Sequence, residues 1–269
     1  MSKISELREL QSTNVITDLL STLQTVEINP IELCNRTCHF CPRSQTSYPN
    51  MNVKISLDTV HMISDQLSNM NYKNRVSFVG FGEPFLHKQL AECIRIIKDK
   101  NTDIKWLEVN TNGDFINRNN VSKLIDAGCS HLTVSMYDDD CSKEILDILE
   151  GLNIHVTFKD IHTDIQLVNR IDIYNDNADL NLNQECYIPF YKMFIDWNGD
   201  VLLCNNDWKR EGLLSNIFKN TISEIWLGNE ITKYRSLLQN KSRSATPCNK
   251  CDVDGVKYGY ESYKMFQGL

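Results

Sequence analysis

"ELCNRTCHFC" at residues 32–41 places Cys34, Cys38 and Cys41 in a C-x3-C-x2-C spacing. A structural zinc site takes four ligands and favours C-x2-C pairs, and no fourth ligand stands beside these three. His39 lies within the loop, where its tether positions it poorly for the same ion. A [4Fe–4S] cluster normally takes four thiolates. Three would leave one iron open, and an open position on a metal centre is where a protein admits a substrate. On this reading the missing fourth cysteine is the functional feature.

The chain on either side of this loop has a regular rhythm. "TVEINPIEL" (25–33) alternates as a strand does, and "LDTVHMISDQLSNM" (57–70) has helical spacing. Strands are expected at 75–83, 104–113, 131–138 and 154–161. Helices are expected between them at 87–100, 117–128 and 141–152, with Gly128 as a C-cap. This alternation implies βα units and a parallel sheet, open or closed into a barrel. The rhythm breaks after residue 165. "FIDWNGDVLLC" (194–204) reads as two strands turning at Asn198-Gly199, and 220–240 reads as a helix. The expectation is a β/α domain followed by a small cysteine-bearing C-terminal module.

Composition narrows the function. The 269 residues carry a net charge of −7 with no block of Lys and Arg, which argues against a nucleic-acid partner. No stretch approaches the roughly 20 apolar residues of a membrane span. The N-terminus has scattered charges and lacks the pattern of a secretory signal, so a cytoplasmic location is expected. In that compartment disulfides are rare, and clustered cysteines mean metal or catalysis. Ten cysteines are present. Cys93, Cys129 and Cys141 stand alone and read as packing residues. The last third holds Cys186-x12-Gly199-x4-Cys204 and then Cys248-x2-Cys251. On spacing alone these four suit either structural zinc or a fully ligated iron–sulfur cluster.

The cysteine loop after the first strand resembles that of the radical S-adenosylmethionine (SAM) enzymes. The resemblance spans about residues 25–165. It implies that SAM chelates the open iron and that one-electron cleavage yields a 5′-deoxyadenosyl radical, which takes a hydrogen atom from substrate. "GFGEP" (80–84) is similar to the family's GGEP motif, with Phe81 where a glycine is usual. Gly82 would then let backbone approach the ligand, and Glu83 would pair with the SAM ammonium. "NTNG" (110–113) supplies Asn112, and "VSMYD" (134–138) supplies Ser135 as a ribose contact. Phe40 resembles an aromatic near adenine. All lie at expected C-terminal strand ends, where β/α folds build sites.

The C-terminal cysteines resemble the start of the family's SPASM motif. No cysteine follows Cys251, as in the shortened "twitch" version with one auxiliary [4Fe–4S] cluster. The resemblance therefore implies an N-terminal helical extension (1–24), a partial (β/α)6 radical SAM barrel (25–170) and a twitch/SPASM-like module (171–269). The compact layout is similar to radical SAM dehydrogenases that act on aminocyclitols. It implies two-electron oxidation of a sugar or cyclitol alcohol to a carbonyl, with the auxiliary cluster accepting an electron. A flavodoxin or ferredoxin-type protein would donate the first electron. Arg170, 16 residues before Cys186, is the candidate catalytic residue at the substrate hydroxyl, with Arg43 and Tyr137 as lesser candidates. Peptide modification, a molybdenum-cofactor-type cyclisation and redox-neutral epimerisation or dehydration begin with the same hydrogen abstraction. A zinc-binding module without enzymatic activity is the alternative from another class.

Overall fold

A computed structural model describes residues 16–45, 47–137, 141–160, 182–255 and 258–267. The described strands form one eight-stranded sheet in the order β5-β4-β3-β2-β1-β6-β7-β8. Its first five strands are β1 (Thr25–Ile28), β2 (Arg75–Phe78), β3 (Trp106–Thr111), β4 (His131–Met136) and β5 (His155–Asp160). They alternate with helices α1 (Leu57–Asn69), α2 (Leu90–Lys100), α3 (Arg118–Asp126) and α4 (Ser142–Leu149), and neighbouring strands run parallel. The βα rhythm expected from the sequence is therefore present. Gly128 closes α3 with φ at +100°, as expected of a left-handed C-cap.

Parallel strands covered on both faces usually read as continuous apolar runs. These strands alternate instead. Val26, Ile28, Val76, Phe78, Leu107, Val109, Leu132 and Val134 join the helices in the main core. The opposite face carries Glu27, Arg75, Glu108 and Thr133, all buried. Burying such groups is costly unless each finds a partner. Arg75 lies 2.6 Å from Glu108 on the next strand, and Thr133 donates to the same carboxylate.

The C-terminal part is stitched into this sheet. A short helix α5 (Ile188–Tyr191) leads into β6 (Lys192–Ile195), which pairs parallel with β1. The sixth parallel strand thus lies beside β1, at the opposite end of the parallel run from β5. The pairing is reinforced by Lys192, whose Nζ lies 2.8 Å from Glu27 Oε1. The expected hairpin follows: β7 (Asp200–Leu202) runs antiparallel to β6 around Gly199, at φ +84°. β8 (Leu213–Asn216) forms the last strand. The single helix expected over 220–240 is two, α6 (Ile222–Leu227) and α7 (Asn229–Gln239), broken at Gly228. Gly228 has extended backbone, and a Cβ there would lie 2.7 Å from Glu224 O. Helix α8 (Tyr260–Met265) packs against α5. Of the expected N-terminal helical extension, residues 1–15 lie outside the described residues and 16–24 run as turns and coil.

Candidate active site

The cysteine loop leaves the C-terminal end of β1 and is tied down by groups outside its own motif. Asn50 grips Cys34 twice: its Oδ1 accepts from Cys34 N and its Nδ2 donates to Cys34 O, each at 3.0 Å. Arg43, just past Cys41, is buried. Its Nε donates to Phe81 O at 2.5 Å, Nη1 donates to Asn50 Oδ1 at 2.9 Å, and Nη2 pairs with Glu32. With every nitrogen engaged, Arg43 clamps the loop, and it also lines the cavity described below.

Gly82 leaves room for backbone. A Cβ there would lie 2.2 Å from Ile31 O and 2.6 Å from Leu33 O. The backbone that comes close is the chain's own cysteine loop, whose Leu33 O accepts from Glu83 N at 2.9 Å. Phe81, the departure from the usual motif, turns into an apolar cluster with Phe194, Leu202 and Trp208. That cluster joins the GFGEP turn to the C-terminal strands.

Glu83 is 2% exposed. Its carboxylate accepts from Phe85 N at 3.0 Å, Thr111 Oγ1 at 2.8 Å and Asn112 N at 2.8 Å. All three donors are neutral, and among the described residues no cation pairs with it. Burial pushes its pKa up to about 7. A carboxylate so placed is suited to a cationic ligand group. Asn112 is held by Asn35 of the cysteine loop at 2.9 Å. Arg36 and Asn35 also reach Asp114, at 2.6 Å each, so the loops after β1 and β3 are strapped together.

These parts enclose a cavity of about 240 Å³. Cys34, Cys38, Cys41, Phe40, Gly82, Glu83, Asn112 and Ser135 all line it. Phe40 lies flat on Tyr137, ring centres 5.4 Å apart and planes within 5°. Tyr137 and Ser135 both line the cavity. The far wall belongs to the loop after Cys204: Asn205, Asn206 and Trp208. The two asparagines lie in "CNND" (204–207), which resembles a segment usual between such cysteines, whereas no signal in the sequence singles out Trp208. Asn205 Oδ1 and Trp208 Nε1 are buried with no hydrogen-bond partner among the described residues.

A second, smaller cavity of about 30 Å³ is lined by Cys186, Cys204, Cys248 and Cys251 with Ile188, Pro189, Leu203 and Val253. Asn206 lines both cavities, so the two sites share a wall. Arg243 binds the segments bearing the cysteines, donating to Cys251 O at 2.8 Å, Val253 O at 2.9 Å and Glu185 O at 3.0 Å. Gly255 is required beside Cys186, whose Sγ would sit 2.3 Å from an added Cβ. Burial lifts the Cys38 and Cys186 thiols to about 11 and Cys248 to about 12. Such thiols keep their protons until a metal replaces them. Among the described residues no three His, Cys, Asp or Glu side chains gather as a single-ion site. The seven cysteines line two cavities instead, and an all-thiol donor set suits iron–sulfur clusters.

A radical SAM superfamily model matches residues 28–168, just over half of the chain. The chain belongs to the radical SAM superfamily. An iron–sulfur cluster-binding SPASM model matches residues 186–252. This radical SAM enzyme therefore takes SAM and a [4Fe–4S] cluster, with an auxiliary iron–sulfur cluster in its C-terminal part. It is 26% identical to the S-adenosyl-L-methionine-dependent 2-deoxy-scyllo-inosamine dehydrogenase of Niallia circulans, over 89% of this chain and 96% of that protein. It is 27% identical to a probable GTP 3′,8-cyclase of Methanococcus aeolicus, over 54% of this chain and 46% of that one. Its fold matches the crystal structure of BtrN in complex with AdoMet and 2-DOIA at a TM-score of 0.77, with 25% identity, 88% of this chain and 96% of BtrN covered. The AdoMet-bound anSMEcpe structure, at 13% identity and a TM-score of 0.62, shares the fold over 90% of this chain and 95% of that one. Arg170 falls outside the described residues. Cys93 and Cys129 are buried in the core and Cys141 packs against it, as expected of packing cysteines. Among the described residues no helix is long and apolar enough to cross a membrane.

Proposed function

We propose that this enzyme oxidises a secondary alcohol of a sugar or cyclitol to a carbonyl, with the auxiliary cluster as electron acceptor. The observation that carries the reading is the shared wall: Asn206 borders both the SAM cavity and the cavity of the four C-terminal cysteines. A substrate on that wall is close to both sites. When bound, SAM with its cluster supplies the hydrogen-abstracting radical, and the auxiliary cluster supplies a place for the remaining electron.

The chain's own residues divide the rest of the work. Cys34, Cys38 and Cys41 hold the first cluster, and Cys186, Cys204, Cys248 and Cys251 the auxiliary one. Glu83 holds the SAM amino group in a buried, preorganised setting. Phe40 and Ser135 border the nucleoside, and Asn112 fixes Glu83 by its backbone N–H. Asn205 Oδ1 offers an acceptor and Trp208 Nε1 a donor, both unpartnered. A hydroxyl group both donates and accepts and can satisfy the two, whereas an ammonium cannot accept and a carboxylate cannot donate. That pairing favours a polyhydroxy substrate. Arg170 is proposed at the hydroxyl that is oxidised, and a flavodoxin or ferredoxin-type protein as the source of the first electron.

The test is anaerobic turnover of the reconstituted enzyme with a panel of cyclitols and aminocyclitols. The expected result is a carbonyl product in step with 5′-deoxyadenosine. Cys248→Ala should still form 5′-deoxyadenosine and lose the carbonyl. Carbonyl formation at the parental rate in that variant would sink the proposal.

A further inference from the structure

An ion network whose two acids line neither cavity joins the two cysteine sets. Glu32 and Asp196 are both wholly buried. Asn29 Nδ2 reaches each, at 3.1 Å and 2.8 Å. Arg43 pairs with Glu32 from within the cysteine loop. Arg210 pairs with both acids: its Nε lies 2.6 Å from Asp196 Oδ2 and its Nη2 is on Glu32 Oε1. Two guanidinium groups thus neutralise two buried carboxylates.

The positions of these residues give the network its meaning. Glu32 lies two residues before Cys34, Arg210 lies six residues after Cys204, and Asp196 directly follows β6. One guanidinium therefore fastens the loop of the C-terminal cysteine set to the loop of the first. Arg210 also has φ at +57°, a left-handed backbone that costs a residue with a Cβ. Glycine would relieve that cost, so its occupancy by arginine points to the side chain. The same loop is stiffened by Asp207, whose carboxylate accepts from Glu211 N at 3.0 Å and Gly212 N at 2.7 Å.

We propose that Arg210 is a positioning residue that couples radical formation to substrate oxidation. It fixes the wall of Asn205, Asn206 and Trp208, with the auxiliary cysteines behind it, at a set distance from the SAM cavity. Without the clamp, SAM is still cleaved but fewer cleavages end in oxidised substrate. The inference rests on the alcohol-oxidation reading above.

The test compares Arg210→Gly and Arg210→Lys with the parent by two readouts. One is amide hydrogen exchange of segments 30–34 and 204–212 in the cofactor-free full chain. The other is the ratio of carbonyl product to 5′-deoxyadenosine in the reconstituted enzyme, with iron content measured alongside. Arg210→Gly should raise exchange in both segments by about tenfold and lower the ratio several-fold at unchanged iron, and Arg210→Lys should restore part of each. Parental exchange in the glycine variant, or raised exchange with an unchanged ratio, overturns the proposal. Should the glycine variant fail to fold, Arg210→Lys and Asp196→Asn carry the same comparison. If the parent forms no carbonyl, the oxidation reading falls and the coupling role falls with it. The exchange data then show separately whether the clamp exists.

Discussion

Replacing Glu83 with glutamine should move stability and SAM affinity in opposite directions. The carboxyl is 2% exposed and its three hydrogen-bond donors are neutral. Burial raises it from 4.5 to about 7, a penalty of about 3 kcal/mol on the charged form at 1.36 kcal/mol per unit. A carboxyl raised on folding stabilises the fold fully below its unfolded value, and that contribution is lost as pH climbs through about 7. At pH 8 the SAM-free protein carries the whole penalty. Glutamine keeps the volume without the charge, so Glu83→Gln should raise the unfolding midpoint of the SAM-free protein at pH 8 and change little at pH 5. Binding runs the other way. A cationic group of the ligand recovers most of the penalty, so losing the charge should weaken SAM by about 2–3 kcal/mol, roughly 30- to 150-fold. In the parent, SAM affinity should fall about tenfold per pH unit below about 7, because Glu83 must first give up its proton. In the variant that slope should vanish. Equilibrium binding of SAM between pH 5.5 and 7.5, with thermal unfolding of the SAM-free chain, measures both effects. A variant that binds within twofold of the parent, or a parent affinity flat across that range, refutes the reasoning.

Three further substitutions separate the parts of the site. Gly82→Ala places a Cβ 2.2 Å from Ile31 O, so it should displace the cysteine loop and cost about 2–3 kcal/mol of stability. Iron analysis should show the loss confined to the first cluster. Arg243→Met orphans three carbonyl oxygens beside the auxiliary cysteines and should cost about 3 kcal/mol. Its iron content should fall by about half while SAM binding persists. Trp208→Phe removes the indole N–H together with one of its two rings and leaves an aromatic ring against Phe81, so KM for a polyol substrate should rise about five- to tenfold with kcat nearly unchanged.

The first cysteine set, Glu83, Asn112, Ser135 and Phe40 were legible because each lies in a short motif at the end of a strand. The strand pattern itself shows that such ends gather in space. What tied those motifs together was not legible. Asn50 holds Cys34 from 16 residues away, and Arg210 reaches Glu32 across 178. Neither has a local pattern, since a lone asparagine or arginine in a loop reads as solvent-exposed. The place of β6 was hidden for the same reason. Its sequence declares a strand, while its partner, β1, is fixed by burial and by the Lys192–Glu27 pair over a separation of 165 residues.

One feature legible in the sequence carries more than its local meaning. "TVEIN" and "HLTVS" alternate strictly, and "RVSFV" and "WLEVN" do so but for one residue each, although each strand is parallel to its neighbours. A parallel sheet wrapped by helices on both faces has no use for every second residue being polar. The alternation makes sense only if one face looks onto something other than helices. Here that face holds Arg75, Glu108, Glu27 and Lys192 in mutual ion pairs. Toward the C-terminal strand ends it carries Asn110 and Ser135, which line the cavity of the first cysteine set. The same period of two that closes the core on one side therefore builds the floor of the active site on the other. A charge reversal at Glu27 or Glu108 would strand a buried cation on the neighbouring strand, so these acids belong to the site's foundations even though neither lines the cavity.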